Sequence, residues 1–469
     1  MEKYPLIVIG SGAGGLVCAI GFASAGRKVL LVEKGEFGGD CTNYGCIPSK
    51  AILSSAMWAH HIKEGKVYGI ESESVQFNAD KALERVKKII SRVRDHEDRA
   101  TLESQGVDVL EGVASFDSPN TVKVTDKEGK ETLVYGKQIV IAAGGHPRKP
   151  VESWGECVDY LTNETIFALK SIPKSMIFLG GGPIGCELAQ AFSRLGSKVI
   201  IIHRHSSLLN KEDPKAAKIV EDQLKKEGIE ILFHERIANA RCEEGKVICD
   251  LESGLTIEGE KLFLGIGRDP NIEQLQLDKA GITHTEKGIG VDNYGRTNVK
   301  HVWAVGDVIG KEYFTHLAEY QARKVLTSLI FPFEFKAKWK KPLVPRVTYT
   351  DPEIASVGLS EKEAKEMYKN IAVYELPFSK ADRAICSGEE NGFIKVITKK
   401  WSSKILGAII VGPTAGELIV EIMVAMENNI PLRKLAKIIH PYPTYSRIVR
   451  KVADLYLKET ILPLFKRKK

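Results

Sequence analysis

The chain has 469 residues, 43% hydrophobic and 27% charged, with 67 lysines and arginines against 60 aspartates and glutamates. At roughly 100–200 residues per domain that is material for about three domains, and a net charge of +7 over this length lacks the clustered basic footprint of a nucleic-acid binder. No apolar run reaches the ~18 residues that suggest a membrane span.

Met1-Glu2-Lys3-Tyr4-Pro5 leads straight into a strand, without the basic segment and apolar stretch of a secretory signal. A cytoplasmic location is therefore expected. The cysteines are Cys18, Cys41, Cys46, Cys157, Cys186, Cys242, Cys249 and Cys386. In a chain of this kind scattered cysteines are expected to be inert buried hydrophobes, so a close pair needs its own argument.

In chain order, the first elements are a strand over Leu6–Ile9, a turn Gly10-Ser11-Gly12-Ala13-Gly14-Gly15, a helix over Leu16–Ala25 stopped at Gly26, and a strand over Val29–Val32 closed by Glu33. A lone GxGxxG is weak. A preceding strand, a following helix and an acid after the second strand make it a dinucleotide site. Gly10 makes the turn, Gly12 lets a pyrophosphate approach, Gly15 lets the helix pack on the strand, and Glu33 accepts from a ribose hydroxyl. The helix N-terminus adds the positive end of its dipole.

A charged helix with an apolar stripe is expected over Lys81–Gln105. The opening plan then returns: strand Met176–Leu179, turn Gly180 to Gly185 with glycines 180, 182 and 185, helix Cys186–Leu195, strand Val199–Ile202. Two such units imply two nucleotides. Where the first has Glu33 the second has His203, followed by Arg204 and His205. A cation there suits a 2′-phosphate, so NADPH is favoured, with NADH as the alternative. Beyond about Lys340 strands over Val344–Tyr349, Ile371–Leu376, Phe393–Thr398 and Ala408–Val411, with helices over Ser360–Lys369 and Glu417–Asn428, give a separate α+β domain.

The segment Gly38-Gly39-Asp40-Cys41-Thr42-Asn43-Tyr44-Gly45-Cys46-Ile47-Pro48-Ser49-Lys50 carries the redox argument. Two thiols four residues apart can meet if the glycines bend the chain. Pro48 suits a first helical turn, which puts Cys46 at a helix N-terminus. That position, with Lys50 near, favours thiolate. Zinc competes, but no second ligand pair stands at zinc spacing.

At these residues the sequence resembles the pyridine nucleotide–disulfide oxidoreductases, which include dihydrolipoamide dehydrogenase, glutathione reductase and mercuric reductase. Supporting motifs are Ala142-Ala143-Gly144-Gly145, Gly180–Gly185 with Glu187, Gly267-Arg268-Asp269-Pro270-Asn271, Ala304-Val305-Gly306-Asp307 and Thr350–Gly358. The resemblance implies an α/β fold of two Rossmann-like dinucleotide-binding domains and a C-terminal α+β dimerisation domain. The FAD-binding domain would comprise residues 1–145 and 269–341, the NAD(P)H-binding domain 146–268 and the dimerisation domain 342–469.

It further implies that Glu33, Lys34, Gly144, Gly267 and Asp307 belong to the cofactor sites, Asp307 on the ribityl chain of FAD. Cys46 would lie against the flavin and Cys41 would meet the acceptor. Lys50 and Glu187 would pair beside the flavin, so that Lys50 serves both catalysis and cofactor binding. A homodimer would complete each active site.

Three departures from that pattern stand out. Where disulfide-reducing members carry a His-Pro-Thr segment with a later Glu, this chain has His440-Pro441-Tyr442-Pro443-Thr444-Tyr445-Ser446-Arg447, so Tyr442 takes the histidine's place and Arg447 the glutamate's. A histidine titrates near pH ~6.5 and a tyrosine near ~10, which makes Tyr442 a poor base at neutrality; His440 stands two residues away as a substitute. Mercuric reductases are similar at Tyr442, but their C-terminal cysteine pair is missing here. Asp40 replaces a usual Thr; either its carboxylate lies beside Cys41 and would raise that thiol's pKa, or it points away into solvent.

The expected activity is therefore electron transfer from NADPH through FAD to Cys41–Cys46 and on to a soft metal ion or small disulfide, with dihydrolipoamide dehydrogenase as the alternative. The basic Lys466–Lys469 end is expected to fray.

Overall fold

A computed structural model describes residues 1–70, 78–150, 154, 158–331 and 342–465. Cys157 and the basic end Lys466–Lys469 lie outside these.

The opening strands are apolar on both faces, as parallel strands covered by helices must be. They run Glu2–Ile9 and Val29–Glu33 and pair in parallel, Leu6 beside Val29. The sheet continues on one side to Asp108–Glu111. On the other side come Glu131–Ile141 and then, antiparallel, Thr121–Thr125 and Val113–Ser118. Val302–Ala304 returns from far along the chain to lie parallel on Glu131–Ile141. The apolar helix Ala13–Ser24 packs against Thr315–Ile330, with Cys18, Phe22 and Val325 in one core.

A second parallel sheet has the order Glu230–Phe233, Lys198–His203, Ser175–Leu179, Lys261–Leu264, Tyr160–Leu161. The antiparallel meander Ile237–Glu243, Lys246–Leu251, Thr256–Gly259 flanks it. Where the chain leaves the first sheet and where it returns, Gly145–Pro147 and Arg268–Pro270 form a short antiparallel pair. This pairing brings Arg268 and Asp269 next to the first nucleotide unit.

The C-terminal sheet is antiparallel, in the order Arg346–Thr348, Glu353–Gly358, Ile405–Gly412, Phe393–Lys399, Ile371–Pro377. Helices Ala415–Glu427 and Arg447–Leu455 bury Ile419, Ile422, Ile448 and Val452 on it. The α/β architecture with a C-terminal α+β unit is as expected.

Two local expectations are corrected. The long helix over Lys81–Gln105 is two, Asp80–Arg94 and Arg99–Ser104, because Asp98 leaves the helix and caps the second, accepting from Thr101 N at 2.8 Å. The strand Glu353–Gly358 and the helix Arg447–Leu455 had not been foreseen as elements.

Candidate redox and nucleotide site

The two glycine-rich turns share one construction. Gly10 has φ 100° and Gly180 φ 115°. A Cβ on either would lie 2.4 Å from a neighbouring carbonyl oxygen, Ala142 O or Gly265 O. A Cβ on Gly15 or Gly185 would meet the first glycine's carbonyl at 1.8 or 1.9 Å. Each helix starts after an extended glycine, Gly12 or Gly182, with no side-chain cap. The first-turn N–H groups thus stay open to an anion.

Each turn is tied to the residue closing the next strand. Glu33 Oε2 accepts from Ser11 N and Ser11 Oγ, both at 2.7 Å, and Glu33 Oε1 from Gly35 N at 2.8 Å. In the second unit His203 Nδ1 accepts from Gly181 N at 3.0 Å. Arg204 is exposed and its Nε donates to His205 Nε2 at 3.2 Å. Lys34 is also exposed and donates to Gln274.

The redox segment folds onto the first turn. Gly39, at φ 64°, approaches so closely that a Cβ there would sit 2.6 Å from Gly12 Cα. Asn43 Nδ2 fastens this loop, donating to Phe37 O and Gly39 O, while its buried Oδ1 has no protein partner. Cys46 opens the helix Cys46–Lys63, with Pro48 in its first turn. Cys41 precedes it on the short helix Gly39–Asn43.

Neither sulfur is in a disulfide, and Cys41 is half-buried while Cys46 is the more exposed residue. A hydrogen bond between them splits their acidities. It drives Cys41 well above the usual thiol range, with burial adding to the rise. It brings Cys46 down to about 6, helped by the Thr315 hydroxyl and the Lys50 ammonium and opposed by burial. Thr315 Oγ1 lies 3.6 Å from Cys46 Sγ.

One turn along the same helix Lys50 Nζ donates to Glu187 Oε2 at 2.8 Å. Glu187 is buried, on the helix that begins at the second glycine turn. Its Oε1 accepts from Tyr349 N at 2.9 Å, and the Tyr349 ring lies 4.1 Å from Lys50 Nζ. One cluster therefore joins the redox helix, the second nucleotide unit and the C-terminal sheet.

Asp40 does not point into solvent. Its Oδ1 accepts from Asn163 Nδ2 at 3.0 Å and its Oδ2 lies 3.3 Å from Arg268 Nη2. Arg268 Nε is 3.6 Å from Asp307 Oδ2, and Arg268 Nη2 donates to Gly145 O. Burial raises the Asp307 carboxyl to about 6, opposed by Arg268. Gly144 and Gly267 adopt positive φ beside this group, and a Cβ on Gly144 would meet nothing within 4 Å.

The C-terminal residues fall into two settings. The His440 side chain is buried, with Nε2 3.0 Å from Glu421 Oε1 and Nδ1 3.1 Å from Ile438 O, so both ring nitrogens are engaged. Tyr442 is 67% exposed, with the Arg447 guanidinium 4.5 Å over its ring. Arg447 in turn lies 3.6 Å from Asp382.

Sequence reasoning missed Thr315, Tyr349 and the salt-bridge role of Arg268. The last two lay in or beside motifs already singled out; Thr315 had no local signal. Among the described residues no group of three or more His, Cys, Asp or Glu could hold a metal ion, and no helix is long and apolar enough to cross a membrane.

Residues 4–322 match the model of pyridine nucleotide-disulphide oxidoreductases, and residues 344–453 the model of their dimerisation domain. The chain is 33% identical over 450 residues to the dihydrolipoyl dehydrogenase of Chlamydia trachomatis, covering 95% of each. It is 30% identical to the mercuric reductase of Lysinibacillus sphaericus, covering 98% of this chain and 83% of that one. Among solved structures, the Cu(II) complex of the HOCl-induced flavoprotein disulfide reductase RclA from Escherichia coli superimposes with a TM-score of 0.87 at 25% identity, over 97% of this chain and 100% of that one.

Proposed function

The chain belongs to the pyridine nucleotide-disulphide oxidoreductase family, and from that premise we propose that it passes electrons from NADPH through FAD to Cys41–Cys46 and from that dithiol to a small acceptor. The family binds FAD and uses NAD(P)H. The residues here fit both groups: two turns whose first and last glycines leave no room for a Cβ, open helix N-termini, and an orphaned Asn43 Oδ1 beside the first.

FAD, when bound, supplies a two-electron acceptor for the nicotinamide hydride and a donor to the disulfide. Gly10, Gly12 and Gly15 would admit its pyrophosphate, with Glu33 on the ribose and Asp307 on the ribityl chain. Gly180, Gly182 and Gly185 would admit the nicotinamide coenzyme. The carrying observation is the placement of the two thiols. Cys46 opens a helix with Thr315 Oγ1 3.6 Å from its sulfur and Lys50 one turn along, and Cys41 lies on the short helix folded against the first glycine turn, a setting that lowers the pKa of Cys46 and raises that of Cys41. Such a pair has one sulfur poised for the flavin and one for the acceptor.

The relatives' names favour a small dithiol–disulfide acceptor of the lipoyl kind. Cys41 then needs a base, and in a homodimer Tyr442 would be presented to the partner's thiols. The locked His440 does not take that part. The second reading, a soft metal ion, is favoured by Tyr442 itself, since a metal held by two thiolates asks no proton transfer at that position. The mercuric reductase relative and the Cu(II) complex of RclA support it.

The division into FAD (1–145, 269–341), NAD(P)H (146–268) and dimerisation (342–469) domains, the homodimer and a cytoplasmic location belong to this proposal. Steady-state NADPH oxidation with lipoamide, glutathione disulfide and thiol-complexed Hg(II) in parallel tests it. Rapid turnover of a disulfide favours the first acceptor and turnover of Hg(II) alone the second. No oxidation with any acceptor, together with no thiol formation at Cys41 or Cys46 on NADPH addition, would overturn the electron path.

A further inference from the structure

A cationic patch surrounds Tyr442. Asp382 and Arg383, from the short helix Asp382–Ser387, meet Arg447 and Lys451 there. Three cations thus face one carboxylate. Asp382 is shared, its Oδ2 3.6 Å from Arg447 Nη1 and its Oδ1 3.3 Å from Lys451 Nζ. Arg383 is exposed and forms no salt bridge among the described residues. Its guanidinium lies 5.7 Å over the Tyr445 ring, whose hydroxyl donates to Glu389.

Folding does not call for this charge. Arg447 and Lys451 stand at the beginning of the helix Arg447–Leu455, which has no acid in its first turn. The positive end of the helix dipole disfavours cations there. Arg450, on the same helix, has its own partner in Asp454 at 3.4 Å. Asp382 therefore supplies one negative charge for two helix cations, and Arg383 adds a third positive one. A local rule broken without an offset inside the chain is expected where the chain meets something else.

Tyr442 says what that is. Its ring is 67% exposed with the Arg447 guanidinium 4.5 Å over it, and in the proposed homodimer this ring is presented to the partner's thiols. The patch therefore flanks the approach of the acceptor. It can touch a group that the acceptor carries away from its reacting atoms.

We propose that the acceptor is an anionic disulfide, with a carboxylate remote from its sulfurs, and that Arg383, Arg447 and Lys451 receive that carboxylate. The inference rests on the disulfide-acceptor reading above and deepens it. Guanidinium groups suit the task, since their paired N–H donors match the two oxygens of a carboxylate. In the exchange the Cys41–Cys46 dithiol gives up two electrons and two protons and closes to its disulfide, while the acceptor's S–S bond opens to two thiols. The patch takes no part in that step. It separates acceptors of like reactivity by their charge.

Lipoate and lipoamide test this, because they share one dithiolane ring and differ only in a carboxylate against a carboxamide. Steady-state NADPH oxidation by the FAD-loaded protein should give lipoate a kcat/KM roughly tenfold or more above that of lipoamide, about 1.4 kcal/mol per decade. The advantage should lie in KM and shrink as salt is raised. Arg383→Gln should cut the ratio by about threefold or more, and Arg383→Glu should bring it to one or below. Lipoamide, measured on each variant, is the control for folding and electron flow. A wild-type ratio near one, or a ratio that neither variant moves, overturns the proposal while leaving a disulfide as the acceptor. Turnover of neither compound, with Cys41 and Cys46 still reduced by NADPH, removes the disulfide reading and the proposal with it.

Discussion

Replacing Cys41 by alanine removes the thiol that donates to Cys46. That hydrogen bond leads the influences that hold Cys46 at about 6, ahead of Thr315 and Lys50. A thiol titrating there is roughly nine-tenths thiolate at pH 7, whereas an ordinary one near ~8.5 is a few per cent thiolate. Without Cys41, burial still opposes the anion, and Thr315 and Lys50 offset it only in part. The Cys46 midpoint is therefore expected to rise by about two units, about 2.7 kcal/mol of lost thiolate stabilisation.

The assay is iodoacetamide alkylation of the reduced protein, followed at the Cys46 peptide by mass spectrometry across pH 5–10. The midpoint is the readout, because intrinsic nucleophilicity falls as pKa falls and blurs a comparison of rates at one pH. Wild type should show a midpoint near pH 6 and Cys41→Ala one at pH ~8 or above. A midpoint unmoved by the substitution would refute the claim that the partner thiol makes the thiolate.

Further outcomes follow from the same cluster. Lys50→Met leaves the buried Glu187 carboxylate with only Tyr349 N–H. Urea unfolding should show a loss of about 2 kcal/mol, against a smaller loss for Glu187→Gln, and equal stability of Lys50→Met would mean the pair does not tie the elements together. Asp307 has a carboxyl raised to about 6, so its neutral form favours folding below its unfolded value and that contribution is lost as pH rises through 6. In flavin-free protein Asp307→Asn should therefore gain on wild type in Tm between pH 4 and 7, and a constant gap would contradict this. Tyr442→His with Arg447→Glu supplies a group that titrates near neutrality. Lipoamide turnover at pH 7 should rise by about tenfold or more, whereas an unchanged rate would exclude that position from proton transfer.

The glycine turns were legible because backbone sterics fix them locally: no Cβ fits at Gly10 or Gly180. The same holds for Cys46, since Pro48 and the helix start are encoded within three residues. The Lys50–Glu187 contact spans 137 positions, so spacing could not supply it; only the resemblance did. Thr315 and Tyr349 reach the site through tertiary packing and left no periodic signal.

The break at Asp95–Asp98 was lost because an apolar stripe can run through a capped helix stop without changing phase. His203 was read as a missing acid, and its role as an acceptor for Gly181 emerged only from the paired geometry of the two turns. The division of labour between Tyr442 and His440 was open in the sequence. In the fold Glu421, nineteen positions away, engages His440 and leaves Tyr442 exposed.

The account stands on electrons entering the Cys41–Cys46 pair, and an anaerobic reductive titration with NADPH counts them. Two two-electron centres per chain predict uptake of about two equivalents by wild type and about one by the Cys41→Ser/Cys46→Ser double variant. Equal uptake of about one by both proteins would contradict the account, because the pair would then take no part in the electron path.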